Sequence, residues 1–221
     1  MPQSYFITGT DTGIGKTLVS CALLSAYSAR GNTVIGMKPV VTGRIGGEWT
    51  DVKAIVAASS VTAPRKWVNP YAFIPPIAPH IAAKQAGIEI DIGIIRQACF
   101  NLQKIADVVV VEGVGGIMVP LNDRNDVADM AHALDLPVIL VVGMRLGCLN
   151  HALVTAKTVQ AIGLQLAGWV ANQIDPQMDS FDENLHTLKQ RLNCPLLGVL
   201  PFERNVATKN FLTFLDIAQL E

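Results

Sequence analysis

Charge of either sign is not in excess in this chain: 17 Lys and Arg face 18 Asp and Glu, for a net charge of -1. That balance offers no broad electrostatic footprint to nucleic acid or to an anionic membrane, so small-molecule partners are expected. Long hydrophobic runs are missing as well. The longest apolar stretches, such as Val108 to Val111 and Pro137 to Val142, fall far short of the roughly 20 residues a membrane-spanning helix needs. The opening MPQSYFITG lacks the basic region, apolar core and small-residue cleavage site of a secretory signal, which predicts a cytoplasmic address. Cysteine is sparse: Cys21, Cys99, Cys148 and Cys194 are scattered, form no Cys-x-x-Cys pair and read as reduced thiols. His80, His132, His151 and His186 never stand at helical i, i+4 spacing or beside a second ligand type, which disfavours a zinc site.

What is present is an alternation. Short β-branched runs occur at Tyr5 to Thr8, Thr33 to Gly36, Val108 to Val111, Val138 to Val142, Gln165 to Ala171 and Leu196 to Leu200. Their continuous apolar character suits strands buried on both faces. Between them, Lys16 to Arg30, Asp91 to Ile105, Asn150 to Ile162 and Asp179 to Leu192 carry apolar residues at helical spacing. Repeated βαβ units predict an α/β fold with a mostly parallel central sheet and helices on both faces. No repeat, low-complexity tract or charge run divides the sequence, so residues 1–221 are expected to form a single domain. The least regular stretch is Pro39 to Pro79, whose turn-rich GRIGGEWTD and NPYAFIPPIAP are expected to overhang the sheet edge and touch substrate.

The segment Gly9-Thr10-Asp11-Thr12-Gly13-Ile14-Gly15-Lys16-Thr17 directly follows the first strand and opens the first helix. In that context a glycine-rich loop turns several backbone N–H groups toward phosphate oxygens. Lys16 can reach the β- and γ-phosphates, and the Thr17 hydroxyl can ligate magnesium. Five residues separate Gly9 from Gly15, one more than usual, and Thr10 takes a position where Gly is expected; the motif is therefore a variant P-loop. A dinucleotide fold is poorly matched, because Leu18 stands where a third glycine would be required.

A metal-binding carboxylate is expected at the carboxyl tip of another strand, and Glu112 occupies one, followed by Gly113-Val114-Gly115-Gly116. Asp51 reads either as a third metal ligand or as an ordinary residue at the start of a helix over Val52 to Ala58. Lys38 ends the second strand, where it is either a solvated cation or one that faces the reaction crevice.

Taken in order, these blocks resemble the dethiobiotin synthetase family along nearly the whole chain. YFITGTDTGIGKT is similar to that family's phosphate loop and GMKPVVTG to its next segment. NPYAFIPPIAPH, VEGVGGIMVPL, LPVILVVGMRLGCLNHA and LAGWVANQ are similar to further family blocks. The resemblance implies a homodimeric, P-loop NTPase-like enzyme that uses MgATP and carbon dioxide. Its substrate would be 7,8-diaminopelargonic acid, closed through a carbamate and a carbamic-phosphoric anhydride into the ureido ring of dethiobiotin. It also assigns residues. Thr17, Asp51 and Glu112 would hold magnesium; Lys16 and Lys38 would be catalytic; Thr12, Gly13, Ile14, Gly15 and Leu18 would cradle the nucleotide, with Thr12 and Thr42 near the diamine. Gly147, Cys148, Leu149 and Asn150 would bind the substrate carboxylate for the partner subunit, and Asn172 would contact adenine. The plain alternatives are a helix cap for Asn150 and a turn former for Asn172.

Two departures stand out: Gly13 replaces a Glu of the best-known members, and Pro201-Phe202-Glu203-Arg204 matches only loosely. A regulatory P-loop ATPase would share the loop but usually carries a second lysine where Asp11 stands, and a larger amide-forming ligase would need a glutamine-handling domain for which 221 residues leave no room.

Overall fold

The computed structural model describes residues 3–203 and 213–220. Its strands, in chain order, are β1 (Gln3–Gly9), β2 (Val34–Met37), β3 (Val40–Thr42), β4 (Tyr71–Phe73), β5 (Val108–Glu112), β6 (Val138–Met144), β7 (Leu166–Gln173) and β8 (Leu196–Leu200). Six of them form one sheet in the order β2-β5-β1-β6-β7-β8, and every neighbouring pair is parallel. The helices are α1 (Lys16–Ala29), α2 (Thr50–Ala58), α3 (Arg65–Val68), α4 (Pro79–Gln85), α5 (Ile92–Gln103), α6 (Val127–Leu134), α7 (Cys148–Ala161) and α8 (Phe181–Arg191).

The pleat explains the unbroken apolar runs. Successive side chains of a strand point to opposite faces, and here both faces are covered. Phe6, Val109, Val111, Leu140 and Val142 pack on one side with Ile95 of α5, Met130 of α6, Val159 of α7 and Leu188 of α8. Ile7, Val108, Val110, Ile139 and Val141 pack on the other with Val19, Leu23 and Tyr27 of α1 and Ile55 of α2. Each strand therefore needs an apolar residue at every position rather than at alternate ones.

The carboxyl ends of β1, β2 and β5 lie side by side at one edge of this sheet, with β1 between β5 and β6. In open α/β sheets that edge is where ligands bind. The chain visits the β2–β5 side before crossing to β6, β7 and β8, so the loops after β1, β2 and β5 crowd together.

The turn-rich stretch holds more order than its sequence announces. β3 and β4 pair in parallel as a separate two-stranded sheet, Val40 with Tyr71 and Thr42 with Phe73, and α2 and α3 lie between them. Three-residue strands are too short to show a period, and their pairing is non-local. Helix α6, absent from the sequence reading, starts at a capping box: the Asp126 carboxylate accepts from the Asp129 N–H at 3.0 Å while Asp129 accepts from the Asp126 N–H at 2.9 Å.

Two boundaries correct the sequence reading. Helix α7 begins at Cys148 with Gly147 as its cap, so Asn150 sits inside the first turn and is not a cap. Asn172 lies within β7, paired with Gly143 of β6, and is not a turn former.

Candidate active site

Gly15 and Lys16 set the geometry of the phosphate loop. Gly15 caps α1 at φ 91°, a left-handed conformation open mainly to glycine, and a Cβ there would collide with the Asn172 amide. Lys16, the first residue of α1, folds back over the loop and donates from Nζ to the Asp11 carbonyl at 2.6 Å. Its side chain is only 6% exposed. Burial, with repulsion from Lys38 behind it, lowers the Lys16 pKa to about 8, although Glu112, Asp51 and Asp11 pull the other way.

Glu112, at the tip of β5, is 1% exposed and is the hub of the site. Its Oε1 accepts from the Thr17 hydroxyl at 2.8 Å and from Lys38 Nζ at 2.5 Å. The same ammonium lies 3.1 Å from Asp51 Oδ2 and donates to the Gly113 carbonyl at 3.1 Å. Burial alone would lower the Lys38 pKa, but the attraction of Glu112 and Asp51 outweighs it and holds the lysine above its ordinary value. Lys38 is 3% exposed, so it is not the solvated strand-end cation that its position alone allowed. Asp51 stands in the first turn of α2, as the helix-start reading has it, and from there its carboxylate also reaches Lys38.

Glu112 Oε2 is buried without a hydrogen-bond partner. A buried carboxylate oxygen left free costs energy unless something meets it. The Thr17 hydroxyl and the Asp51 carboxylate line the same cavity as Glu112, and together the three residues offer hydroxyl and carboxylate oxygens of the kind hard divalent cations prefer.

These groups share a cavity of 680 Å³. Thr12, Gly13, Gly15, Lys16, Thr17, Lys38, Thr42, Asp51 and Glu112 all line it, brought in from β1–α1, β2, β3, α2 and β5. Of its remaining walls, Val41, Val114 and Val119 supply apolar surface beside Gly115, and Pro76 to Pro79, part of the turn-rich segment expected to overhang this edge, close one side. Val41 falls in the block GMKPVVTG and the others in NPYAFIPPIAPH and VEGVGGIMVPL, so each block was visible and the pointing direction of each side chain was not. At Gly13, φ is 74° and a Cβ would meet nothing within 4 Å. A larger side chain there would have room but would strain the backbone.

Other candidates lie outside this cavity. Ile14 is buried and Leu18 half-buried. Asn172 donates from Nδ2 to the Ile14 carbonyl at 2.8 Å, which braces the loop from beneath. The stretch Gly147 to Asn150 is not among the lining residues. Gly147 has open space around it, Cys148 is buried with its N–H held by the Arg145 carbonyl at 3.0 Å, and Leu146 is 96% exposed. Pro201 to Glu203 are not among the residues that line the cavity, and Arg204 lies outside the described residues.

A parallel sheet with a glycine-capped phosphate loop at its carboxyl edge, a helix-opening Lys-Thr pair and a strand-tip carboxylate define a P-loop nucleotide-binding protein. The family model described as an AAA domain matches residues 3–210. Solved structures agree on the fold: the septum site-determining protein MinD of Pyrococcus horikoshii, complexed with Mg-ADP, superposes with a TM-score of 0.60 at 15% identity over 92% of this chain and 82% of that one. The signal recognition particle receptor FtsY of Elizabethkingia anophelis, with GDP, gives 0.53 at 16% identity over 90% and 57%.

Sequence relatives are more specific. The ATP-dependent dethiobiotin synthetase BioD of Nitrosospira multiformis is 57% identical over 220 residues, which is 100% of this chain and 97% of that protein. The synthetase of the same name from Aromatoleum aromaticum is 55% identical over 204 residues, 90% and 91% of the two chains. The chain belongs to the ATP-dependent dethiobiotin synthetase family.

Proposed function

We propose that the protein, acting as one domain over residues 1–221, closes 7,8-diaminopelargonic acid with carbon dioxide and MgATP into the ureido ring of dethiobiotin. The observation that carries this reading is the meeting of Lys16, Thr17, Lys38, Asp51 and Glu112 from separate segments in one cavity.

One amine of the substrate takes up carbon dioxide and loses a proton, giving a carbamate. A carbamate oxygen then attacks the γ-phosphorus, ADP leaves, and a carbamic-phosphoric anhydride forms. The second amine attacks the anhydride carbonyl, phosphate departs, and the ring is closed. None of these steps needs a covalent bond to the protein, so catalysis is positioning and charge neutralisation.

Lys16 would hold the β- and γ-phosphates, with the loop N–H groups around them. Lys38, on the far side of Glu112, would neutralise the carbamate and the γ-phosphate as they are brought together. Thr17, Asp51 and Glu112 would hold magnesium, which offsets phosphate charge when bound. Thr12 and Thr42 would face the diamine, and Asn172, next to Gly15, would sit under the adenine. Val41, Val114 and Val119 supply dry walls, which protect an anhydride from water.

Gly147 to Asn150 would hold the distal carboxylate at the start of α7. Because these residues do not line the cavity of their own chain, a homodimer in which each α7 serves the other protomer accounts for them. Among the described residues no helix is long and apolar enough to cross a membrane, and ATP as co-substrate supports a cytoplasmic address. The reading is tested by incubating the protein with the diamine, bicarbonate, ATP and magnesium and measuring the cyclic urea by mass spectrometry. No urea from a folded, ATP-binding preparation would overturn it.

A further inference from the structure

Asn69 belongs to the block NPYAF, and nothing so far has assigned it a task. It follows α3, is 5% exposed, and all three arms of its amide are engaged. Nδ2 donates to the Lys38 carbonyl at 2.6 Å and to the Tyr71 carbonyl at 3.0 Å. Oδ1 accepts from Arg65 at 2.9 Å. Two carbonyls on one side and a guanidinium on the other leave the amide only one orientation, since a flip would oppose oxygen to oxygen and N–H to N–H.

The place matters because Pro39 follows Lys38. Proline has no N–H, so no ladder can run through this point, and the chain passes here from β2 of the main sheet to β3 of the small one. The Lys38 N–H is held by the Val68 carbonyl at 2.8 Å, and the Tyr71 N–H is held by the Pro39 carbonyl at 3.0 Å. Between those two bonds the Asn69 side chain acts as the missing rung. Lys38 has a flexible four-carbon stem, yet its ammonium must meet Glu112, Asp51 and the Gly113 carbonyl together.

We propose that Asn69 is a positioning residue: it fixes the Lys38 peptide so that the ammonium enters the cavity along a single path, and Arg65 fixes Asn69 in turn. This rests on the catalytic role proposed above for Lys38. The Asn69 amide bonds to Lys38, Tyr71 and Arg65, none of them in the phosphate loop, so its loss leaves that loop's hold on nucleotide in place and slows the chemical step.

The test uses Asn69→Leu, which keeps the bulk and removes the amide. Turnover is measured per nucleotide site, with sites counted by calorimetric titration of a non-hydrolysable ATP analogue, so that a smaller folded fraction is not mistaken for slower chemistry. The expected result is a fall in kcat of at least about fivefold with analogue Kd within about twofold of the parent. A smaller fall, or one matched by an equal loss of analogue affinity, overturns the inference. Should Asn69→Leu not fold, Arg65→Met at an exposed position carries the same test, with a fall of at least about twofold in kcat required. Lys38→Ala is assayed alongside. If it turns over like the parent, the role given to Lys38 fails, and this inference with it; if it is inactive while the Asn69 or Arg65 variant meets neither threshold, only the positioning inference fails.

Discussion

Two turns in this molecule share a backbone and differ in everything around it. Gly15 caps α1 at φ 91° and Gly147 caps α7 at φ 92°. Each cap follows a strand of the main sheet, opens a helix of 14 residues, and makes no side-chain cap hydrogen bond. Each therefore presents helix N-terminal N–H groups with partial positive charge. Around Gly15 stand two lysines, three threonines and two carboxylates within one cavity. At Gly147 a Cβ would meet nothing within 4 Å, and the charged side chain of that turn, Arg145, is paired at 2.7 Å with Asp11 of the phosphate loop. A helix N-terminus favours an anion wherever it occurs, but phosphoryl transfer requires charged side chains brought from several strands, and only the first turn has them. The same contrast separates the proposed tasks: chemistry at α1 and substrate anchoring at α7.

The sharpest way to break that contrast is Lys16→Gln. A neutral side chain leaves phosphate charge uncompensated in a largely buried site, and ring closure should fall by at least about 100-fold. Thermal melting should stay close to the parent's, since the lysine is held in a desolvated position that already lowers its pKa. Near-normal urea formation would remove the phosphate-site assignment. Next comes Glu112→Gln, which should raise the magnesium concentration needed for half-maximal activity by more than about tenfold. Saturation at the parent's magnesium concentration would show that Glu112 is not a metal ligand.

A third expectation concerns pH. The folded Lys16 value of about 8 lies below the ordinary lysine value of 10.5, so between those values the unfolded chain keeps a proton that the folded, nucleotide-free protein has lost. As far as this group sets it, stability rises with pH across that window. ATP binding favours the charged lysine, so analogue affinity should fall above pH 8, by up to about tenfold per pH unit. Titrations at pH 8.5 in buffers of different ionisation enthalpy should register proton uptake that vanishes in Lys16→Gln. Uptake unchanged in that variant would assign the proton elsewhere.

The smallest effect is expected at the second turn. Asn150→Ala should weaken diamine binding while leaving ATP affinity unchanged, in keeping with the about 0.3–1 kcal/mol that an exposed helix N-terminus gives a carboxylate. A diamine lacking the carboxylate should lose less affinity for the variant than for the parent, because the two changes remove one shared interaction. Fully additive losses would place the carboxylate elsewhere.

The difference between the turns also marks what could be read from the sequence. Gly15-Lys16-Thr17 was legible because a local motif between a strand and a helix fixes both backbone and side-chain direction. Glu112 was legible because a strand tip at this sheet edge faces the crevice. For Asp51 and Lys38 the sequence left two readings, since only the packing of α2 beside the end of β2 brings their charges within 3.1 Å. Val41 and the small β3–β4 sheet were not legible, because three-residue strands carry no period and pair with partners about 30 residues away. Asn69 was in plain view in its block, but its task depends on a missing N–H at Pro39 and on carbonyls from two other segments. Asn150 and Asn172 were each placed at the edge of an element and lie inside one, and boundaries of this kind shift by a residue or two.

The most direct measurement is phosphate release from ATP with diamine and bicarbonate present together, each alone, and neither. A site built to join a carbamate to the γ-phosphate should release phosphate only when both are present, in equal amount with the cyclic urea. Rapid release with neither present would contradict the assignment and mark the cavity as that of an ATPase whose output is a change of conformation.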